Sequence, residues 1–243
     1  MLLKPALLSS LVASAANAYN LSIAATGGNA SSPLMYGLMF EDINFSGDGG
    51  IYAELIQNRA FQGNNEFPST LKPWTAVGGA VLTLQDTKAR LSRALPYSVN
   101  VAPGSTSTGK IGIMNPGWWG MEVKPQTYTG SFWVLGGYTG SFTVKLQSDI
   151  TSDVFATKDI PSMAVDHKWT QHNYTIVPTM TAPSSNNSFV LEYDASGGAL
   201  NFGLISLFPP TYNDRPNGMR KDLMEAMIAV KPSFLRMPGG NNM

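Results

Sequence analysis

The chain has 243 residues, 43% hydrophobic and 13% charged, which is enough apolar material for a sizeable core in one or two domains. Sixteen basic and sixteen acidic residues cancel, and no basic block or stripe occurs, so nucleic acid and anionic membrane surfaces are excluded as evident partners. Cysteine is absent, which rules out disulfides, thiolate metal ligands and a cysteine nucleophile.

The first segment, 1–18, reads as a signal peptide. Lys4 supplies a short positive start, residues 7–13 are mostly apolar, and Ala16-Asn17-Ala18 forms an A-x-A cleavage pattern before Tyr19. Removal of Lys4 would leave a formal charge of −1 on a secreted, extracellular chain. The segment is too short to span a membrane as a mature helix, and no later stretch qualifies. N-glycosylation sequons at Asn20, Asn29, Asn44, Asn173 and Asn186 fit the same secretory route, although each tripeptide alone is a weak signal.

The next region, 19–63, has α/β texture. Leu34-Met35-Tyr36-Gly37-Leu38-Met39-Phe40 is an apolar run of strand length, the pattern of a strand buried on both faces, as in a parallel sheet. A polar loop ending in Gly49-Gly50 follows, and then Ile51, Leu55 and Asn58-Arg59 fall on a short helical pattern. Strand, loop and helix together make half of a βαβ unit.

Residues 64–207 alternate with period two. Ser141-Phe142-Thr143-Val144-Lys145-Leu146 and Ser188-Phe189-Val190-Leu191-Glu192-Tyr193 put apolar residues on one face, and Gly136-Gly137, Pro183-Ser184-Ser185 and Gly197-Gly198 mark turns. Many short strands between regular turns predict an antiparallel β-sandwich or jelly roll.

Residues 208–243 return to α/β texture. Met219, Leu223, Ala226, Met227 and Val230 form one face of a helix, with Asn217 as N-cap and Pro232 as its stop. Residues 233–237 then read as a strand, and Pro238-Gly239-Gly240-Asn241-Asn242 as the loop at its C-terminal end. The first and third regions are expected to be consecutive pieces of one α/β domain, with the sandwich inserted between them. A complete (β/α)8 barrel needs eight such units, and about two strands are present, so the expectation is a chain that stops partway through a barrel.

The acidic residues Glu41, Asp42, Asp48 and Glu54 cluster in sequence. Adjacent strand residues point to opposite faces, so Glu41 and Asp42 are poorly arranged as a catalytic pair. Glu41 sits where its strand ends, the functional end of a barrel strand. Pro238-Gly239-Gly240-Asn241 occupies the equivalent place on the later strand: glycines admit a ligand close to the backbone, and the Asn241 amide can both donate to and accept from hydroxyls. Arg236, within an apolar strand, is expected to be buried against an acidic residue of the neighbouring strand.

Trp74, Trp118, Trp119, Tyr128, Trp133, Tyr138 and Trp169 are read chiefly as core. Trp118-Trp119 is the exception, since a strand carrying both would turn one ring outward. His167 and His172 are the only histidines, without the carboxylates or spacing of a metal site or a catalytic triad. No phosphate-binding glycine motif occurs, and no metal or other cofactor is called for.

Three stretches carry a resemblance. The segment from Tyr36-Gly37-Leu38-Met39-Phe40-Glu41-Asp42 through Gly49-Gly50-Ile51-Tyr52-Ala53-Glu54-Leu55-Ile56-Gln57-Asn58-Arg59 closely resembles the first barrel strand and loop of α-L-arabinofuranosidases of glycoside hydrolase family 51. So do Leu207-Phe208-Pro209-Pro210-Thr211-Tyr212 with Arg215-Pro216-Asn217-Gly218, and the stretch from Lys231-Pro232-Ser233 to Gly239-Gly240-Asn241. The region between them resembles the carbohydrate-binding-module-like jelly roll of fungal-type members. The resemblance implies exo-acting, retaining release of terminal α-L-arabinofuranosyl groups from arabinan or arabinoxylan, an arabinose-containing plant cell-wall polysaccharide. It implies that Glu41 and Asn241 hold arabinose hydroxyls. It also implies that both catalytic glutamates lie downstream of Asn241, so that these 243 residues alone are inactive. The alternatives are a non-catalytic secreted carbohydrate-binding protein built on the sandwich, or a non-functional product whose unpaired strand edges aggregate.

Overall fold

The computed structural model describes residues 21–86 and 88–239. The signal-peptide segment, Asn20 and Asn241 lie outside the described residues. Ten strands form two five-stranded antiparallel sheets. One sheet has the order β2 (Thr75–Val77), β5 (Lys110–Asn115), β10 (Asn187–Asp194), β7 (Ser141–Ser148) and β8 (Val154–Pro161). The other has the order β3 (Ala80–Asp86), β4 (Tyr97–Pro103), β11 (Leu200–Phe208), β6 (Tyr128–Leu135) and β9 (Trp169–Ile176). The period-two patterning of the central region thus gives the stacked sheets it predicts.

Inward-facing residues of both sheets share one core. Phe142 of β7 sits 5.3 Å from Phe132 of β6 and 5.9 Å from Phe202 of β11, both edge-on, and Tyr193 of β10 is 5.7 Å from Phe202. All four are buried. Such rings lose large apolar areas to the interior, and that burial is the main force closing the sandwich. The alternation is not clean on β10. Ser188, Val190 and Glu192 point away from the core yet are buried, with Glu192 Oε2 only 2.5 Å from Lys145 Nζ. Being the middle strand of five, β10 has its outer face covered by side chains of its neighbours.

The α/β texture of the flanking regions yields less regular structure. The run 34–40 contributes only β1 (Leu38–Met39), paired in parallel with β12 (Leu235–Arg236) in the register Leu38 to Leu235 and Met39 to Arg236. Leu34, Met35, Tyr36 and Met39 are exposed, contrary to the expected double-sided burial, because no layer covers either face of this pair among the described residues. Arg236 is exposed for the same reason rather than buried.

The short helix expected over 51–59 does not form. A wide turn at Gly47–Ile51 is closed by Ile51 N–H to Ser46 O (2.9 Å), and the chain then runs extended against the sandwich. Ala53 N–H donates to Gly218 O (3.1 Å) and Leu55 N–H to Leu207 O (3.0 Å), bonds a helix would have needed internally. Ile56 and Phe61 are thereby drawn into the sandwich core.

The later helix is present as α1 (Lys221–Ala229), but it starts after Asn217. Asn217 occupies a left-handed turn (φ 51°), and the chain stays extended through Arg220, whose N–H donates to Ile51 O at 2.8 Å. That tie to the first segment delays the helix. The helix ends at Val230, with Lys231 left-handed (φ 52°) before Pro232, as the stop signal predicts. None of its residues is fully buried; Leu223, Met224 and Met227 on its apolar side are half-buried and the rest exposed.

Candidate functional site at the β1–β12 ends

The parallel β1–β12 pair brings two predicted site segments together. Leu38 N–H donates to Phe234 O (2.9 Å) and Phe40 N–H to Arg236 O (3.0 Å), which sets Glu41 and the Pro238-Gly239 loop at the same end of the ladder. Glycine is required on both sides of the pair. A Cβ at Gly37 would lie 2.6 Å from the Phe234 ring, and one at Gly239 (φ +82°) would lie 2.8 Å from Glu41 Cγ and 2.6 Å from Phe40 O. Glu41 is half-buried, with its side chain against Gly239.

The loop after β1 is a self-bonded turn. Ser46 Oγ donates to the Glu41 carbonyl and accepts from Ile43 N–H (3.2 Å), while Asp42 Oδ1 accepts from Gly47 N–H (3.1 Å). Glu41 and Asp42 part company, although both lie past the end of β1 and strand alternation does not reach them: Asp42 holds its own loop and Glu41 faces the later strand's loop. Asp48 is exposed in the same turn.

Glu54, the fourth acidic residue, has a different place. It is buried, its Oε1 accepts from Leu207 N–H (2.8 Å) and Ile56 N–H (3.0 Å), and Oε2 lies 3.3 Å from Arg59 Nη1. Burial pushes its carboxyl up to about 7, against the pull of the Leu207 and Ile56 N–H groups and of Arg59. Arg59 also donates to Tyr52 Oη (3.1 Å) and stands over the Tyr52 ring. Glu54 is thus the joint between the first segment and β11, a role that sequence clustering with Glu41 gives no hint of.

Beside this joint lies a cleft of about 660 Å³ between the Gly49–Gly50 turn, the loop after β5 and the start of α1. Trp118 and Trp119 wall it, on a turn rather than on a strand. The turn is shaped by buried Asn115, whose Oδ1 accepts from Gly117 N–H (2.9 Å) and whose Nδ2 donates to Gln57 O (2.9 Å). Trp118 packs under Gly49, where a Cβ would come within 2.5 Å of its ring. Phe45 meets Trp118 at 5.1 Å and Trp119 at 5.6 Å. Trp119 is 68% exposed, so one ring of the pair does face outward.

The other aromatics and the histidines take structural roles. Trp74 is buried with its indole donating to Asn58 O (3.0 Å), and Tyr128 and Tyr138 are core residues. Trp133 and Trp169 are half-buried. His172 is buried, stacked on Phe132 at 5.2 Å, and its Nε2 accepts from Met163 N–H (2.9 Å), which puts the ring proton on Nδ1. Burial lowers its pKa, with the Thr170 backbone pulling the other way. His167 is exposed in a left-handed turn. The sequon residues Asn29, Asn44, Asn173 and Asn186 are all exposed.

No protein-family model matches the chain. Curated relatives do. Alpha-L-arabinofuranosidase A of Aspergillus kawachii is 39% identical over 231 residues, covering 94% of this chain and 36% of the relative. Alpha-L-arabinofuranosidase A of Aspergillus niger is 39% identical over 240 residues, covering 98% of this chain and 37% of the relative. The chain therefore spans a little over a third of the length of the relatives it matches. Among solved structures, an arabinose-bound family 51 α-L-arabinofuranosidase superposes with a TM-score of 0.79 at 42% identity, covering 86% of this chain and 35% of that one. By sequence and by fold, the chain is similar to α-L-arabinofuranosidases, a solved family 51 member among them, over a little more than a third of their length.

Proposed function

We propose that the chain is part of a secreted, retaining glycoside hydrolase that releases terminal α-L-arabinofuranosyl groups from arabinan or arabinoxylan. In this reading β1, α1 and β12 open a (β/α)8 barrel, residues 64–207 are a sandwich inserted between its first two strands, and residues 1–18 are a signal peptide. The observation that carries it is the meeting of Glu41 with Gly239 at the shared end of two parallel strands, the position from which barrel enzymes act.

Glu41 accepts from arabinose hydroxyls, and Asn241, two residues beyond Gly239, offers a donor and an acceptor to the same sugar. The 243 residues hold the sugar and do not cleave it. Retaining hydrolysis needs a nucleophile and an acid/base carboxylate about 5–5.5 Å apart across the glycosidic bond. The family resemblance puts both downstream of Asn241, and Glu41 and Glu54 do not form such a pair, because Glu54 is spent on Leu207, Ile56 and Arg59.

Saturation-transfer NMR with L-arabinose tests the holding role. The 243-residue chain is expected to bind it, and Glu41→Ala and Asn241→Ala each to abolish the signal without lowering the melting temperature. Unchanged binding in both variants would overturn the assignment. Hydrolysis of an aryl arabinofuranoside by the 243-residue chain, at a rate well above that of Glu41→Ala, would overturn the division between holding and cleavage.

A further inference from the structure

We propose that Trp119, braced by Phe45 and Trp118, is a stacking shelf for a neutral sugar unit of the polysaccharide backbone, placed by the sandwich beside the arabinose-holding end of β1. The inference rests on the polysaccharide-acting reading above and adds a site to it.

Three observations carry it. Trp119 and Phe45 are 68% and 52% exposed although they touch each other, so the cluster presents apolar ring surface to solvent. Large exposed aromatic surface of this kind marks a contact site more often than chance. The cleft that Trp118 and Trp119 wall has a volume of about 660 Å³, within the range of ligand pockets. Trp118, which lines the cleft beside Trp119, has a buried indole Nε1 with no acceptor among the described residues.

The lining selects the ligand class. A pyranose or furanose unit has an apolar C–H face and a rim of hydroxyls. The Trp119 face suits the former, and the polar groups across the cleft suit the latter. Charges of both signs line it: Lys124 Nζ is 2.7 Å from Glu122 Oε1, Arg220 Nη2 is 2.5 Å from Asp222 Oδ2, and Lys221 and Glu225 add one charge of each sign. A neutral, polyhydroxylated chain suits this balance of signs, because its hydroxyls can donate to the carboxylates and accept from the cations. The shelf is also joined to the arabinose end: Ser46, next to Phe45, holds the Glu41 carbonyl. A sugar stacked on Trp119 belongs to the same chain that would present arabinose to Glu41.

Calorimetric titration of the 243-residue chain with xylohexaose and, separately, with α-1,5-arabinohexaose tests the proposal. At least one should bind, Trp119→Ala should weaken it about tenfold or more, and Trp119→Phe should stay within about threefold of the parent because it keeps a ring face. Trp119→Ala should melt with the parent, since its side chain is exposed. Equal affinity in Trp119→Ala, no binding of either hexasaccharide, or a self-association that Trp119→Ala abolishes would each overturn the shelf. The two readings fail separately. Loss of L-arabinose binding in Glu41→Ala alongside unchanged hexasaccharide binding in Trp119→Ala sinks the shelf alone. Trp119-dependent hexasaccharide binding by a chain that ignores L-arabinose sinks the arabinose assignment alone.

Discussion

Gly239 packs its α-carbon directly against the Glu41 side chain, where a β-carbon would stand 2.8 Å from Glu41 Cγ. The same residue has φ +82°, a conformation that side chains disfavour. Conformation and space both demand glycine there, and both serve to seat one carboxylate.

Gly239→Ala is therefore expected to act like loss of Glu41, although it removes no polar group. Left-handed strain of about 1–3 kcal/mol adds to the clash with Glu41, and the loop must move to relieve both. L-arabinose binding should be lost, while the melting transition of the sandwich, whose core lies elsewhere, stays in place. Saturation-transfer NMR and differential scanning calorimetry on the same sample check the two halves.

Glu54 makes stability depend on pH. Its carboxyl moves from 4.5 unfolded to about 7 folded, so between these values the folded chain holds a proton that the unfolded chain has released. This contribution is complete below pH 4.5 and is lost as pH rises through 7. It amounts to about 3 kcal/mol. Urea titrations at pH 5.5 and 8 should show the lower stability at pH 8. Glu54→Gln, which keeps an acceptor for Leu207 and Ile56, should flatten that difference. A stability that rises from pH 5.5 to 8 in the parent and not in the variant would contradict the sign.

Asn115 joins the first segment to the turn bearing Trp118 and Trp119. Asn115→Ala leaves the Gln57 carbonyl and the Gly117 N–H without their partner and should cost about 2 kcal/mol. Iodide quenching of tryptophan fluorescence should rise at the same time, because the turn loses its anchor.

Phe142 contacts Phe132, Phe202, Tyr138 and Tyr193, rings from both sheets. Phe142→Ala opens a cavity at the centre of the sandwich and should destabilise it by about 3–5 kcal/mol, read from the urea midpoint.

The exposed Asn29, Asn44, Asn173 and Asn186 should carry glycans when the chain passes through a eukaryotic secretory pathway. Endoglycosidase treatment should then reduce its mass, and removal of these four sequons together with that at Asn20 should abolish the change.

Much of the sandwich was legible in the sequence, because period-two alternation between turn residues is dictated by strand geometry alone. Phe142-Val144-Leu146 and Phe189-Leu191-Tyr193 face inward because a strand leaves them no other choice. The flanking regions were less legible. The spacing of Ile51, Leu55 and Asn58 allows a helix, but the backbone N–H groups of Ala53 and Leu55 found Gly218 and Leu207, partners more than 150 positions away in the chain. A local pattern cannot weigh such a long-range alternative.

The same division holds for the site. Glu41 at a strand end and glycines in the later loop are visible locally, and family resemblance supplies their meaning. Composition alone determined that the chain uses no cysteine chemistry and has apolar content for a β-rich core. Tertiary structure alone decided that Gly239 packs on Glu41, that Glu54 is a buried joint to β11, and that Trp119 is the outward ring of its pair. Each of those depends on which distant segment supplies the neighbour, and a carboxylate or an indole takes its character from that neighbour.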